Sequence, residues 1–372
     1  MRKIFGLLMI GIGLFSCKPQ AYEVKGFIKG VNNGYILAIG ETINDTIPLV
    51  NGLFEFKGSV QKNEIVKFYI EDDENKVETY LAPIKLFISN DVINIKGQLE
   101  QYGRISYKIN GGREHQIYES YNSKLGILDS IKQTYFNTQT LLMNGEFEEI
   151  KELQIKNRKW CAQIASAINQ IPEWNHKISS TFILLDNLNY IPLELANTIA
   201  NNFSPEMQSS PYLIKAKKKL VSRGRMQNGK KIPDFKLKDK SGNVYSLDNF
   251  KGKYLLMDFG GYYCHWCVKE FPNAVKACSK YKDEGMVLLS INMDGNEKMA
   301  EKDHERQSRY LEKYKVDLNK YYLSPCGRVN DLVAKYNIDG YPYIILVGPD
   351  GEIIEKNLRG KHMAMVVDNC FD

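Results

Sequence analysis

Two cysteines separated by two residues, in the run Cys264-His265-Trp266-Cys267, can form and break a disulfide within one helical turn, which is thiol redox chemistry. On spacing alone the pair is equally half of a zinc site, and a structural clip is a third reading. A zinc knuckle needs a second ligand pair at finger-like spacing. The next downstream candidates, Cys278 and His304, have no close partner of that kind, so no metal is expected. Upstream, Tyr254-Leu255-Leu256-Met257-Asp258-Phe259 is an apolar strand, and Gly260-Gly261-Tyr262-Tyr263 is a glycine-rich turn leading into the first cysteine. Cys264 is therefore expected at a helix N-terminus, where unpaired backbone N–H groups and the positive end of the helix dipole favour a thiolate. Cys267, one turn inward, becomes the resolving thiol. The cysteines carry the electrons themselves, so the chemistry calls for no small-molecule cofactor.

Further residues at fixed offsets make the segment resemble the thioredoxin-like fold, and within it the TlpA and ResA type of envelope thiol-disulfide oxidoreductase. Asp258 stands six residues before Cys264 and Pro272 five after Cys267, while Gly340-Tyr341-Pro342 precedes the strand Tyr343-Ile344-Ile345-Leu346-Val347. The resemblance covers roughly residues 226–372. It implies a buried acid at Asp258, a helix kinked at Pro272 and a cis-proline loop lying against the active-site disulfide. In such a loop Tyr341, before Pro342, offers its backbone to the substrate chain. A carboxylate inside an apolar strand is costly to bury ionised, so its pKa should rise and let Asp258 accept the proton of Cys267. Cys264 then attacks a substrate disulfide, and Cys267 resolves the mixed disulfide. The relatives imply a reductase recharged by a membrane electron-donor protein, acting on protein thiols or disulfides in the cell envelope.

The chain also departs from that pattern. Gly260-Gly261-Tyr262-Tyr263 replaces the family's tryptophan-alanine-x-tryptophan approach, either to admit a bulky partner or to let Tyr262, Tyr263 and Trp266 pack over the site. His265 and Trp266 form an unusual dipeptide between the cysteines. If protonated or donating a hydrogen bond, His265 would stabilise the thiolate and make the couple more oxidising, leaving oxidase or isomerase activity open; the alternative is a solvent-facing histidine of little influence. Peroxidases of the same fold want a proline seven residues and a hydroxyl residue three residues before the nucleophile, where this chain has Met257 and Gly261.

The order of elements agrees with this reading. Ile232-Pro233-Asp234-Phe235 is expected to open a strand, with a hairpin turn at Asp239–Asn243 before Val244-Tyr245-Ser246. Leu255–Phe259 and Met286–Asn292 flank a helix over Cys264–Lys282, a βαβ unit with parallel strands. Glu297–Tyr314 is long and charged enough for an added surface helix, and Gly348-Pro349-Asp350-Gly351 makes the last hairpin turn.

Elsewhere the chain is built differently. From Tyr22 to about Gly112, alternating runs such as Tyr35–Ile39, Leu53–Phe56, Val66–Ile70 and Ile84–Ile88 read as a small antiparallel β domain. It resembles a β-rich module found ahead of thioredoxin domains in envelope lipoproteins, best over Asp45–Phe56. That module carries no catalytic set, and its role is spacer or partner surface. Residues 113–225 show helical spacing, as in Ile117, Tyr121, Leu125, Leu128 and Ile131, and read as a helical connector. Trp160 and Trp174 are expected in its core, His115 and His176 on its surface. The whole is thus a multidomain α+β chain: a leader at 1–16, a β-rich domain at 17–112, a connector at 113–225 and a thioredoxin-like α/β domain at 226–372.

Met1-Arg2-Lys3, the apolar stretch Ile4–Phe15 and Leu14-Phe15-Ser16-Cys17 resemble a lipoprotein signal, with Cys17 as lipid attachment site and membrane anchor. A bilayer span would need about 20 apolar residues. A plain secretory signal with Cys17 as a spare thiol is the alternative. The whole chain carries a formal charge of +6, which falls to +4 once Arg2 and Lys3 leave with residues 1–16. That near-neutral balance, with the basic run Lys215-Ala216-Lys217-Lys218-Lys219, Arg223 and Arg225 read as a solvated helix end or linker, argues against nucleic-acid binding. Cys161, Cys278, Cys326 and Cys370 remain; Cys278 is expected as a buried core thiol, with a Cys278–Cys326 bridge as the alternative. A non-enzymatic envelope scaffold with a vestigial redox site is the remaining class, against which the set Asp258, Cys264, Cys267 and Pro342 weighs.

Overall fold

Buried and exposed side chains alternate along strands within residues 22–72 and 84–99 and so define a sheet with one apolar face. The computed structural model describes residues 21–72, 83–238, 242–261, 264–292, 322–324 and 329–372. Two compact units result, residues 1–123 and 124–372. In the first, β1 (Tyr22–Lys29), β2 (Asn33–Ile39), β3 (Asn44–Val50), β4 (Leu53–Gly58), β5 (Glu64–Asp72), β6 (Ile84–Ile88), β7 (Val92–Leu99) and β8 (Ile105–Gly111) form one sheet in the order β6-β5-β2-β3-β4-β1-β7-β8. Strand β3 shows the alternation: Ile47 and Leu49 are buried, Thr46, Pro48 and Val50 exposed. Val24, Ile28, Ile36, Phe68, Ile70 and Ile93 meet in the core. The expected antiparallel module has one exception, because β1 and β7 run parallel with Val24 opposite Ile93. A parallel neighbour requires a long crossover, and here strands β2 to β6 supply it.

Helix α1 (Arg113–Lys124) follows β8. His115, expected on the surface, is instead buried at 1% exposure. Its Nδ1 accepts from the Phe87 N–H at 3.3 Å, its ring lies 5.9 Å from that of Tyr118, and burial pushes its pKa down to about 4.

The helices α2 (Ile127–Asn144), α3 (Phe147–Asn169), α4 (Ile178–Asn187), α5 (Leu193–Asn201) and α6 (Pro211–Arg225) fall in the second compact unit together with the redox sheet. Gly145 closes α2 in the left-handed conformation (φ 77°), which a residue with a Cβ adopts at a cost. The basic run is no solvated linker. On α6 it alternates with buried Tyr212, Leu213, Ala216 and Leu220, Lys219 pairs with Asp339, and Arg223 Nη2 donates to the Ile191 carbonyl at 3.1 Å. Trp174 is in the core, Trp160 half-buried and His176 exposed. No described helix is long and apolar enough to cross a membrane.

The redox part begins at a short hairpin of β9 (Leu237–Lys238) and β10 (Val244–Tyr245). The strand expected at Ile232–Phe235 does not form. Pro233 has no N–H to give a ladder, and Asp234 turns its carboxylate onto the N–H groups of Phe235 (2.8 Å) and Leu247 (3.0 Å). Ile232 and Phe235 still fill the core. A five-stranded sheet follows, built from β11 (Tyr254–Gly260), β12 (Met286–Asn292), β13 (Tyr322–Ser324), β14 (Tyr343–Val347) and β15 (Ile353–Lys356) in the order β13-β12-β11-β14-β15. Helices α7 (His265–Lys280), α8 (Val329–Lys335) and α9 (Gly360–Asp368) complete it. β11 to β13 are parallel, while β14 and β15 are antiparallel. Leu255, Met257 and Phe259 face a core containing Phe235, Tyr336 and Ile345, and Leu256 faces a second core with Phe271, Cys278, Met363 and Val367 from α7 and α9. The expected helix over 297–314 lies outside the described residues.

Candidate active site

Because strand side chains alternate, Asp258 shares the face of Leu256 and so points to the side covered by α7. It is 6% exposed, and its Oδ1 has no hydrogen-bond partner. The strand ends at Gly260, where a Cβ would stand 3.1 Å from both Cβ and Sγ of Cys267 and 4.0 Å from Asp258 Oδ1. Gly260 thus lies against both the Cys267 sulfur and the Asp258 carboxyl group, and a larger residue there would have to shift the sulfur by a few tenths of an ångström. Cys264 is the N-cap of α7, with β-region backbone, and its Sγ accepts from the Cys267 N–H at 3.2 Å. Cys264 and Cys267 are joined as a disulfide with Cα atoms 5.2 Å apart. Cys264 is the half-exposed partner and Cys267 the buried one. The more accessible sulfur is therefore the one at the helix N-terminus, where backbone N–H groups and the helix dipole favour an anion.

Electrostatics set the carboxyl group. Desolvation by burial pushes the Asp258 pKa up to about 7, the nearby Glu270 carboxylate adds to the rise, and the Arg359 charge opposes it. Burial also raises Glu270, whose Oε1 accepts from the Gly360 N–H at 2.7 Å and from Asn273 Nδ2 at 3.2 Å. Cys278, three turns along α7, is a buried free thiol that burial pushes far up, so it is inert in exchange. Cys161 and Cys370 are also unpaired.

Tyr341–Pro342 is a cis peptide, with Tyr341 half-buried ahead of β14. The proline carbonyl accepts from Arg359 Nη2 at 2.7 Å. His265 and Trp266 both face solvent, their rings 5.7 Å apart, and Lys269 Nζ lies 5.0 Å over the Trp266 ring. Trp266 is 60% exposed and so does not close over the sulfurs. Cys17, Tyr262, Tyr263 and Cys326 lie outside the described residues. The structure adds Glu270 and Arg359 to the site. Glu270 was within reach of spacing, since it follows Cys267 by three positions on the same helix face. Arg359 had no local signal, because only the fold brings residues 342, 357 and 359 together.

A helix-capping disulfide above a buried acid, beside a cis-proline loop on a βαβ sheet, defines the class of thioredoxin-like thiol-disulfide oxidoreductases. Comparison with known proteins agrees. Residues 228–356 match the AhpC/TSA family, and residues 22–134 match a domain of unknown function, DUF4369. A thiol-disulfide oxidoreductase ResA of Bacillus cereus is 30% identical over 132 residues, which are 36% of this chain and 70% of that protein. ResA of Bacillus subtilis (strain 168) is 25% identical over 130 residues, 35% of this chain and 66% of that one. Among solved structures, the thioredoxin domain of a thiol-disulfide oxidoreductase from Bacteroides vulgatus shares 33% identity over 39% of this chain and 99% of its own, with a TM-score of 0.34. A thiol:disulfide interchange protein from Bacteroides sp. shares 34% identity over 39% of this chain and 90% of its own, also with a TM-score of 0.34. The chain belongs to the ResA family of thiol-disulfide oxidoreductases.

Proposed function

We propose that this oxidoreductase reduces disulfides of proteins in the cell envelope, held at the membrane by a lipid on Cys17 and recharged by a membrane electron donor. The observation that carries the reading is the position of Cys264, capping α7 with its sulfur on the Cys267 N–H and its partner thiol beside the unpartnered Asp258 carboxyl.

In the dithiol form, the Cys264 thiolate attacks one sulfur of a substrate disulfide, forming a mixed disulfide and expelling the first substrate thiolate. Asp258, ionised, takes the proton of Cys267. The Cys267 thiolate then attacks Cys264 Sγ, so the second substrate thiol leaves and the protein carries the Cys264–Cys267 bond. One disulfide is consumed and one is formed, with two electrons passing to the substrate. The backbone of Tyr341 beside cis-Pro342 aligns the substrate chain, and His265 and Trp266 set the poise of the couple and meet the substrate surface. The reducing direction follows from the TlpA/ResA resemblance.

Titration of the couple against a thiol-disulfide buffer, with Cys264→Ser as control, tests this. A potential near that of thioredoxin, about −270 mV, is the expected result, whereas one near about −120 mV reverses the direction to oxidation. A wild type indistinguishable from Cys264→Ser would sink the redox reading.

A further inference from the structure

A half-buried cation stands where the cis-proline loop, Glu270 of α7 and a helix from outside the redox sheet are tied together. Arg359 lies between β15 and α9, and its Nη2 donates both to the Pro342 carbonyl at 2.7 Å and to Asn357 Oδ1 at 3.2 Å. Asn357 adopts a left-handed backbone, φ 58°. Its Nδ2 donates to the Tyr135 hydroxyl at 3.1 Å and to Gln139 Oε1 at 2.7 Å, both on α2. The next residue after Arg359, Gly360, gives its N–H to Glu270 on α7. Residues 357, 359 and 360 thus fasten α2, the Pro342 loop and α7 to one short segment.

We propose that Arg359 is a positioning residue of the exchange site, whose guanidinium holds the Pro342 carbonyl so that the loop presents its backbone to substrate, on a segment that anchors Glu270 through the Gly360 N–H and so sets a cation beside the Asp258–Glu270 pair. The proposal rests on the disulfide-exchange reading above. The groups facing the pair are Cys267 and Cys278 from α7, Arg359 from the segment before α9 and, behind Arg359, Tyr135 from α2. Among the described residues, Arg359 is the cation that favours the ionised form of both carboxyl groups. A planar guanidinium reaches carbonyl and amide oxygens in a fixed geometry, whereas a lysine would supply the charge without the fork.

The test uses the full chain, reduced beforehand and mixed in single turnover with a disulfide-bonded peptide as probe, so that KM is the half-saturating peptide concentration and kcat the limiting rate. Thiol release is followed against peptide concentration and pH for the wild type, Arg359→Lys and Arg359→Gln. Arg359→Lys is expected to raise KM about tenfold, the loss of a hydrogen bond to a charged group, and to leave the pH midpoint of kcat in place. Arg359→Gln is expected to raise KM similarly and also to move that midpoint to higher pH, since the carboxyl groups lose their cation. A wild-type KM in Arg359→Lys, or an unmoved midpoint in Arg359→Gln, overturns the proposal. If Arg359→Gln does not fold, the KM of Arg359→Lys decides alone. A wild type that releases no thiol from the peptide fails the exchange reading itself, which separates the two.

Discussion

A carboxyl group held near neutrality by burial is a proton acceptor at physiological pH and a source of instability above it. Folded Asp258 keeps its proton to about 7, while the unfolded chain releases it near 3.8. Between those values the folded state binds more protons than the unfolded one, so the stability of the redox unit falls as pH rises and levels off above about 7. Asp258→Asn removes that penalty. It is expected to be nearly neutral around pH 4 and to stabilise the unit above neutrality by on the order of 4 kcal/mol, since each intervening pH unit is worth roughly 1.4 kcal/mol. Urea unfolding at the two pH values checks this, and an equal change at both would remove desolvation as the cause. The same variant should slow the Cys267 step roughly 10²-fold or more by taking away its base, which rapid-mixing detection of the mixed disulfide reads directly. Asp258 was legible because a lone charge in an apolar run has no ordinary structural explanation. Glu270 was legible only as a neighbour of Cys267 on one helix face, since its burial comes from the fold and not from spacing.

At the scale of elements, the β11–α7–β12 unit could be read from periodicity and a glycine turn, because its apolar runs are short, continuous and separated by a helix-length stretch. The docking of α2 against α9 could not, since it depends on Gly360. That residue has φ 50°, and a Cβ on it would stand 2.5 Å from the Met143 carbonyl oxygen at the end of α2. Backbone cannot yield as a side chain tip does. Gly360→Ala is therefore expected to destabilise the redox unit by about 2–4 kcal/mol, combining left-handed strain with overpacking. Thermal unfolding measures it; a loss below about 0.5 kcal/mol would mean that α2 does not pack on α9 as described. The misread strand at Ile232–Phe235 has a similar origin: its apolar pattern was right for burial, yet Pro233 and Asp234 withdraw the backbone groups a ladder requires.

On the whole-molecule scale, two compact units with separate cores predict two unfolding transitions in calorimetry. Reducing Cys264–Cys267 should move only the transition of residues 124–372, because the disulfide lies entirely within that unit; a shift of both would show that they unfold as one. The change from β-rich to helical composition was visible in the sequence, whereas the sharing of one compact unit by helices α2 to α6 and the redox sheet was not, since helices that join a core and helices that link cores share the same spacing. One arrangement in the β unit bears on how the chain comes into being. Strand β1 is flanked by β4 and β7, and its parallel register runs from Glu23 opposite Val92 to Lys29 opposite Gln98. Its parallel partner is the seventh strand to emerge, so the sheet cannot be completed from its leading end, and such non-local closure is slow. During synthesis, that delay leaves the edge of β1 that faces β7 without its partner until nearly all of the module has emerged.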